Sequence, residues 1–123
     1  IRDSGTDSFR HFNAGAKETI LGSEKKWIKF SRQISDPKPN LAFLIEQIIP
    51  VDIVIVEGFK SSGHKKVEVI DRISERKPLY ETNKTICGLV INQQKIQNVI
   101  LPQFERDDVQ EICDFMEATL GIE

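Results

Sequence analysis

Apolar positions recur along this chain with two periods. LAFLIEQII (41–49) sets Leu41, Leu44, Ile45 and Ile48 at the i, i+3, i+4, i+7 spacing of one helical stripe, with Asn40 placed to cap it. RDDVQEICDFMEATLG (106–121) repeats that period through Val109, Ile112, Cys113, Met116 and Leu120, opened by Asp107 or Asp108 and stopped by Gly121. Near the start, Asp7 or Ser8 can cap a short helix bearing Phe9 and Phe12, which Gly15 ends. Between these stretches the period is shorter. ETILGS (18–23) and KWIKFSR (26–32) read as strands, the second alternating Trp27 and Lys29 against Ile28 and Phe30. DIVIVEGF (52–59), the central strand candidate, and KTICGLVIN (84–92) are apolar without a break, the mark of strands covered on both faces. KKVEVIDR (65–72) alternates and reads as a half-exposed edge strand, and NVILPQF (98–104) as a short strand closed by Pro102. SDPKPN (35–40) is a turn, because two prolines cannot serve a ladder.

Doubly covered strands alternating with amphipathic helices predict an α/β fold: three layers, with a mostly parallel sheet flanked by helices. A chain of 123 residues, 39% of them hydrophobic, suffices for one domain, so a single domain over 1–123 is expected. The 17 basic and 19 acidic residues leave a net charge of −2 with no basic run, which disfavours nucleic acid as a partner. No apolar run approaches the roughly 20 residues that cross a bilayer, and the polar start carries no signal-peptide pattern, so a cytoplasmic protein is expected. Cys87 and Cys113 fall among apolar neighbours and are expected to be free, buried thiols. His11 and His64 share no metal-ligand spacing with them.

Two stretches carry candidate chemistry. In IVIVEGFK (53–60) a run of β-branched residues delivers a carboxylate, a glycine and, two positions later, a lysine. In parallel sheets ligands bind beyond the carboxyl ends of strands. Glu57 at such an edge suits Mg²⁺ or the orientation of a nucleophile, Gly58 admits a phosphate close to the backbone, and Lys60 supplies a positive charge. The plainer role for Glu57 is to cap a loop or to pair with Lys60 or Arg10. The second stretch, SGTDSFRHFNAGA (4–16), gathers Asp7, Ser8 and Arg10 around a glycine turn that opens a helix. Asp7 there can ligate a metal and Arg10 can clamp a phosphate, although Asp-Ser before a helix is also ordinary capping chemistry. KSSGHKK (60–66) reads as a mobile, solvated loop rather than a lid.

Together DSGTDSFRHFNAGA and VEGFK resemble the molybdopterin-guanine dinucleotide biosynthesis protein B (MobB) family, a branch of the P-loop nucleotide-binding proteins. The resemblance implies a GTP-binding accessory protein of molybdenum cofactor maturation, a partner of the guanylyltransferase that joins GMP to molybdopterin. It implies a homodimer and at most weak GTPase activity, with Mg²⁺ and GTP as cofactors and molybdopterin as a further candidate. By position, Glu57 matches the family's acid near Mg²⁺ and Gly58 lies beside the terminal phosphate. Asp7 and Arg10 match the motif facing the nucleotide or cofactor phosphate. Asn92, which ends CGLVIN, matches a base-reading position, with a strand-end turn as its plainer role. No G-x-x-x-x-G-K-[ST] occurs in the chain, and Thr6 stands where the family often has lysine. The expectation is that the first strand, P-loop and first helix lie upstream of residue 1, leaving residues 1–123 unable to bind GTP tightly. The other readings are an adaptor that has lost nucleotide chemistry and a different small P-loop kinase.

Overall fold

A computed structural model of the chain describes residues 7–32, 39–71 and 77–122, so Thr6 and most of the SDPKPN turn lie outside the described residues. It contains two compact units, residues 1–59 and 60–123.

The first unit holds helix α1 (Asp7–Asn13), a hairpin of strands β1 (Glu18–Gly22) and β2 (Trp27–Ser31), and helix α2 (Leu41–Glu46). The two strands pair antiparallel, Leu21 opposite Ile28 and Thr19 opposite Phe30, in the segments where alternation predicts them. Asn40 caps α2 as expected, its Oδ1 accepting from the Phe43 amide at 2.9 Å. The helix then ends at Glu46, so only Leu41 of the apolar stripe is buried.

One expectation fails here. Residues 53–59 form no strand, and Ile55 is 77% exposed. A run of β-branched residues favours extended backbone, yet a strand exists only where another backbone receives its N–H and C=O groups. Among the described residues, β1 and β2 satisfy only each other.

In the second unit β3 (Lys66–Ile70), β4 (Ile86–Ile91) and β5 (Gln103–Glu105) form a parallel sheet in the order β3-β4-β5, with helix α3 (Val109–Leu120) after it. KVEVI is the edge strand its alternation predicts, but the central strand comes from the 84–92 run and not from 52–59, the segment expected there. Leu89 is fully buried, and Ile86, Leu89 and Ile91 form the core with Ile70, Leu79, Tyr80, Ile96, Val99 and Leu101 around them. Those neighbours belong to a strand end, a single 3-10 turn (Leu79–Glu81) and the 92–102 loop. This side of the sheet is therefore covered by connections, where the three-layer expectation has helices. The middle of the loop is held by a side chain of β5: the Gln103 amide donates to Ile96 O and accepts from Ile96 N, both at 2.8 Å.

The last strand is displaced from its predicted place. Residues 98–102 are irregular, and the ladder begins after Pro102, whose carbonyl accepts from Leu89 N at 2.9 Å. Proline has no N–H to offer but keeps its acceptor. Helix α3 is bounded as expected, Asp108 Oδ1 accepting from Glu111 N and Gly121 closing it at φ 71°. Its inward face differs: Ile112, Phe115 and Met116 are half-buried, whereas Val109, Cys113 and Leu120 are exposed. The Phe115 ring lies 4.8 Å from that of Phe104 and fills the space over Gly88, where an added Cβ would stand 2.9 Å from it. Gly88 thus admits an aromatic residue to the sheet surface. Both cysteines are free, but Cys113 is exposed and Cys87 half-buried, because the helix turns Phe115 inward instead.

Candidate functional site

The first motif folds as a helix of about two turns. Asp7 occupies its first turn and Arg10 its last, both exposed, each at the end where its charge suits the helix dipole. Gly15 takes φ 108° and turns the chain toward β1. What holds this turn is Arg32, at the end of β2. Its guanidinium lies 4.1 Å over the Phe12 ring and donates to the carbonyls of Phe12 and of Ala16, the latter at 3.3 Å. Its own N–H donates to Lys17 O at 2.8 Å. Arg32 belongs to neither motif, and only the pairing of β1 with β2 brings it back to α1.

In VEGFK the chain turns sharply. Gly58 has φ 80° and Phe59 φ 51°, so two successive residues lie in the left-handed region. Glycine adopts it without strain, whereas an aromatic residue does so rarely. Among the described residues nothing lies within 4 Å of where a Gly58 Cβ would stand, so the backbone here is open to them on that side. The Glu57 side chain is exposed and forms no hydrogen bond or ion pair among the described residues. Arg10 is not its partner there, nor is Asp7 joined to it.

Lys60 begins the second unit in an exposed turn, and its carbonyl accepts from Asn83 Nδ2 at 3.1 Å. The 60–66 segment is mostly exposed, as its composition suggests, but hydrogen bonds tie it down. Lys66 Nζ donates to Ser62 O, to His64 O at 2.8 Å and to Thr85 Oγ1 at 2.9 Å. Asn83 and Thr85 precede β4, so these contacts sit at the amino end of the β3–β4 pair. Asn92 follows β4 at the other end, where its Nδ2 donates to Asp71 Oδ1 at 3.0 Å. Arg106 Nη1 donates to the same oxygen at 3.0 Å, and the Glu105 carboxylate accepts from the Gln93 amide. Lys60 and Asn92 are separated by the length of β4, on the order of 20 Å for six residues.

Among the described residues no three His, Cys, Asp or Glu side chains gather as a ready metal cage. Mg²⁺ does not require one, since it keeps several waters and is held through one or two carboxylates together with substrate phosphates. An exposed, unpaired carboxylate beside an open glycine backbone fits that donor set, and Glu57 with Gly58 provides it. No helix among the described residues is long and apolar enough to cross a membrane.

The structure defines a small α/β protein built on a three-stranded parallel sheet with helices. It is similar to the crystal structure of molybdopterin-guanine biosynthesis protein B (mobB), with a TM-score of 0.70, 24% identity, and coverage of 96% of this chain and 76% of that one. The family model for molybdopterin guanine dinucleotide synthesis protein B matches residues 1–92, and the chain belongs to that family. It is 30% identical over 124 residues, 98% of its length, to a molybdopterin-guanine dinucleotide biosynthesis adapter protein of Haemophilus influenzae. It is 31% identical over 83 residues to the protein of that name in Escherichia coli, and 39% identical over 62 residues to a putative one in Methanocaldococcus jannaschii. The matches span 66%, 47% and 25% of those proteins' own lengths, less than two thirds in each case.

Proposed function

We propose that the protein is an adapter of molybdopterin-guanine dinucleotide biosynthesis that assists a molybdopterin guanylyltransferase and works with Mg²⁺ and GTP. The observation that carries this reading is the alignment of nearly the whole chain with an adapter protein of that pathway. Mg²⁺ would bind through Glu57 and supply charge neutralisation at the phosphates. Gly58, with open space on its Cβ side among the described residues, lets a terminal phosphate approach the backbone, and Lys60 supplies a phosphate-directed positive charge. Asp7 and Arg10 serve the nucleotide or a cofactor phosphate from the first motif. Asn92 keeps one amide hydrogen beyond its bond to Asp71, and its position at the far end of β4 makes base reading the least supported of these roles.

A fold that buried Glu57 would have removed it from this chemistry; here it is exposed. Glu57→Gln preserves shape and removes the charge. In the full-length gene product it should lower Mg²⁺-dependent GTP hydrolysis at least tenfold while leaving the thermal melt unchanged, by about the contribution of one charge-assisted contact. Unaltered turnover would take Glu57 out of the mechanism.

A further inference from the structure

We infer that Asn83 and Lys66 are positioning residues for Lys60: they strap the 60–66 segment to the amino end of the β3–β4 pair and so fix the backbone from which the Lys60 ammonium extends. The inference rests on the proposed phosphate-directed role of Lys60. Lys66 is a half-buried cation that pairs with no carboxylate among the described residues, and its three oxygen partners use its three N–H donors. Two of those oxygens are carbonyls of the segment itself, Ser62 and His64, and the third is the Thr85 hydroxyl just before β4. A lysine whose only task was solubility would leave its ammonium in water.

Asn83 works with both ends of its amide. Its Oδ1 accepts from Thr85 N at 3.0 Å and from Thr85 Oγ1 at 2.6 Å, which also orients the hydroxyl that meets Lys66. Its Nδ2 reaches 23 residues back to the Lys60 carbonyl. The segment carries two serines and a glycine, whose small side chains restrict the backbone little, yet it is held at residues 60, 62 and 64. A lysine on an anchored backbone loses less freedom on meeting a phosphate than one on a free loop, and that difference appears as affinity.

Asn83→Asp separates the two functions of the amide, because it keeps an acceptor for Thr85 and replaces the donor that holds Lys60. A fluorescent GTP analogue with Mg²⁺ is titrated into the full-length gene product and its Lys60→Ala, Asn83→Asp and doubly substituted variants. Thermal melts verify folding. Lys60→Ala should weaken binding about tenfold, as expected for one charge-assisted phosphate contact. Asn83→Asp should weaken it several-fold, but by less than about twofold when Lys60 is already alanine, since a positioning residue has nothing left to position. Full loss in both backgrounds would mean that Asn83→Asp acts through its new charge, and would overturn the inference. So would normal affinity in Asn83→Asp beside weakened Lys60→Ala, with the phosphate reading left standing. No effect of Lys60→Ala, or no binding by the unaltered protein, overturns the phosphate reading and the inference with it. For Lys66, amide exchange of residues 61–65 should quicken in Lys66→Met while that of β4 does not; unchanged exchange in the segment would remove Lys66 from the strap.

Discussion

Gly88→Ala puts the packing of α3 on the sheet to a direct test. The added Cβ would lie 2.9 and 3.0 Å from two atoms of the Phe115 ring and 3.7 Å from the Phe104 ring. Carbon pairs are comfortable at about 3.5–4.0 Å, so the Phe115 ring must retreat by roughly 0.6 Å. It cannot move sideways without disturbing its contact with Phe104, at 4.8 Å between centroids. The remaining path is outward, lifting α3 from Gly88 and weakening the contact that covers this face of the central strand. Overpacking of this kind costs about 1–3 kcal/mol; the half-buried ring has some room to yield, which places the expected loss at about 1–2 kcal/mol. Urea unfolding of the full-length gene product, followed by far-ultraviolet circular dichroism, measures it. Phe115→Leu substitutes a shorter aliphatic side chain for the ring and should relieve the clash, so the pair should destabilise less than the sum of the single changes by at least about 0.5 kcal/mol. If Gly88→Ala is neutral, or if the two changes add strictly, Phe115 does not pack on Gly88 and the account of this face is wrong.

Two further changes probe how the connections are held. Glu68 accepts from the amides of Leu79 and Tyr80 at 2.7 and 2.8 Å and so fixes the 3-10 turn over the core. Glu68→Ala strands both donors and should cost about 1–3 kcal/mol in thermal unfolding, with no change meaning that water replaces the carboxylate without penalty. Asp108→Ala removes the cap of α3 and should cost about 1 kcal/mol by the same assay; an unshifted melt would show that Glu111 N finds another acceptor.

Much of the local architecture is legible in the sequence. Caps at Asn40 and Asp108, the stop at Gly121 and the extended segments that become β1 and β2 each depend on residues close together along the chain. The helical stripe of α3 is less so, because 3.6-residue periodicity leaves adjoining stripes open; inclusion of Phe115 would have rotated the inward face to the observed one. Of the candidate site, VEGFK is visible as an acid beside a glycine, and the structure gives that glycine its purpose in a left-handed turn. Arg32, Asn83 and Lys66 carry no signal by which sequence reasoning could find them. The partners that tie them across the fold lie 16 to 20, 23 and 19 residues away, and only pairing of the strands closes those distances.

The sequence by itself determined which segments favour helix or extended backbone, where most of them stop, and that a carboxylate would stand beside a flexible residue after an apolar run. These follow from backbone sterics and short-range hydrogen bonding, which act over a few residues. Tertiary structure decided which extended segments became strands, since a ladder needs a second backbone: 86–91 found two neighbours, and 53–57 found none among the described residues. It also decided which side of α3 faces inward, and it bound the serine- and glycine-bearing segment after Glu57 to the start of β4 through one lysine and one asparagine. Those outcomes depend on groups brought together through space, and no local pattern records them.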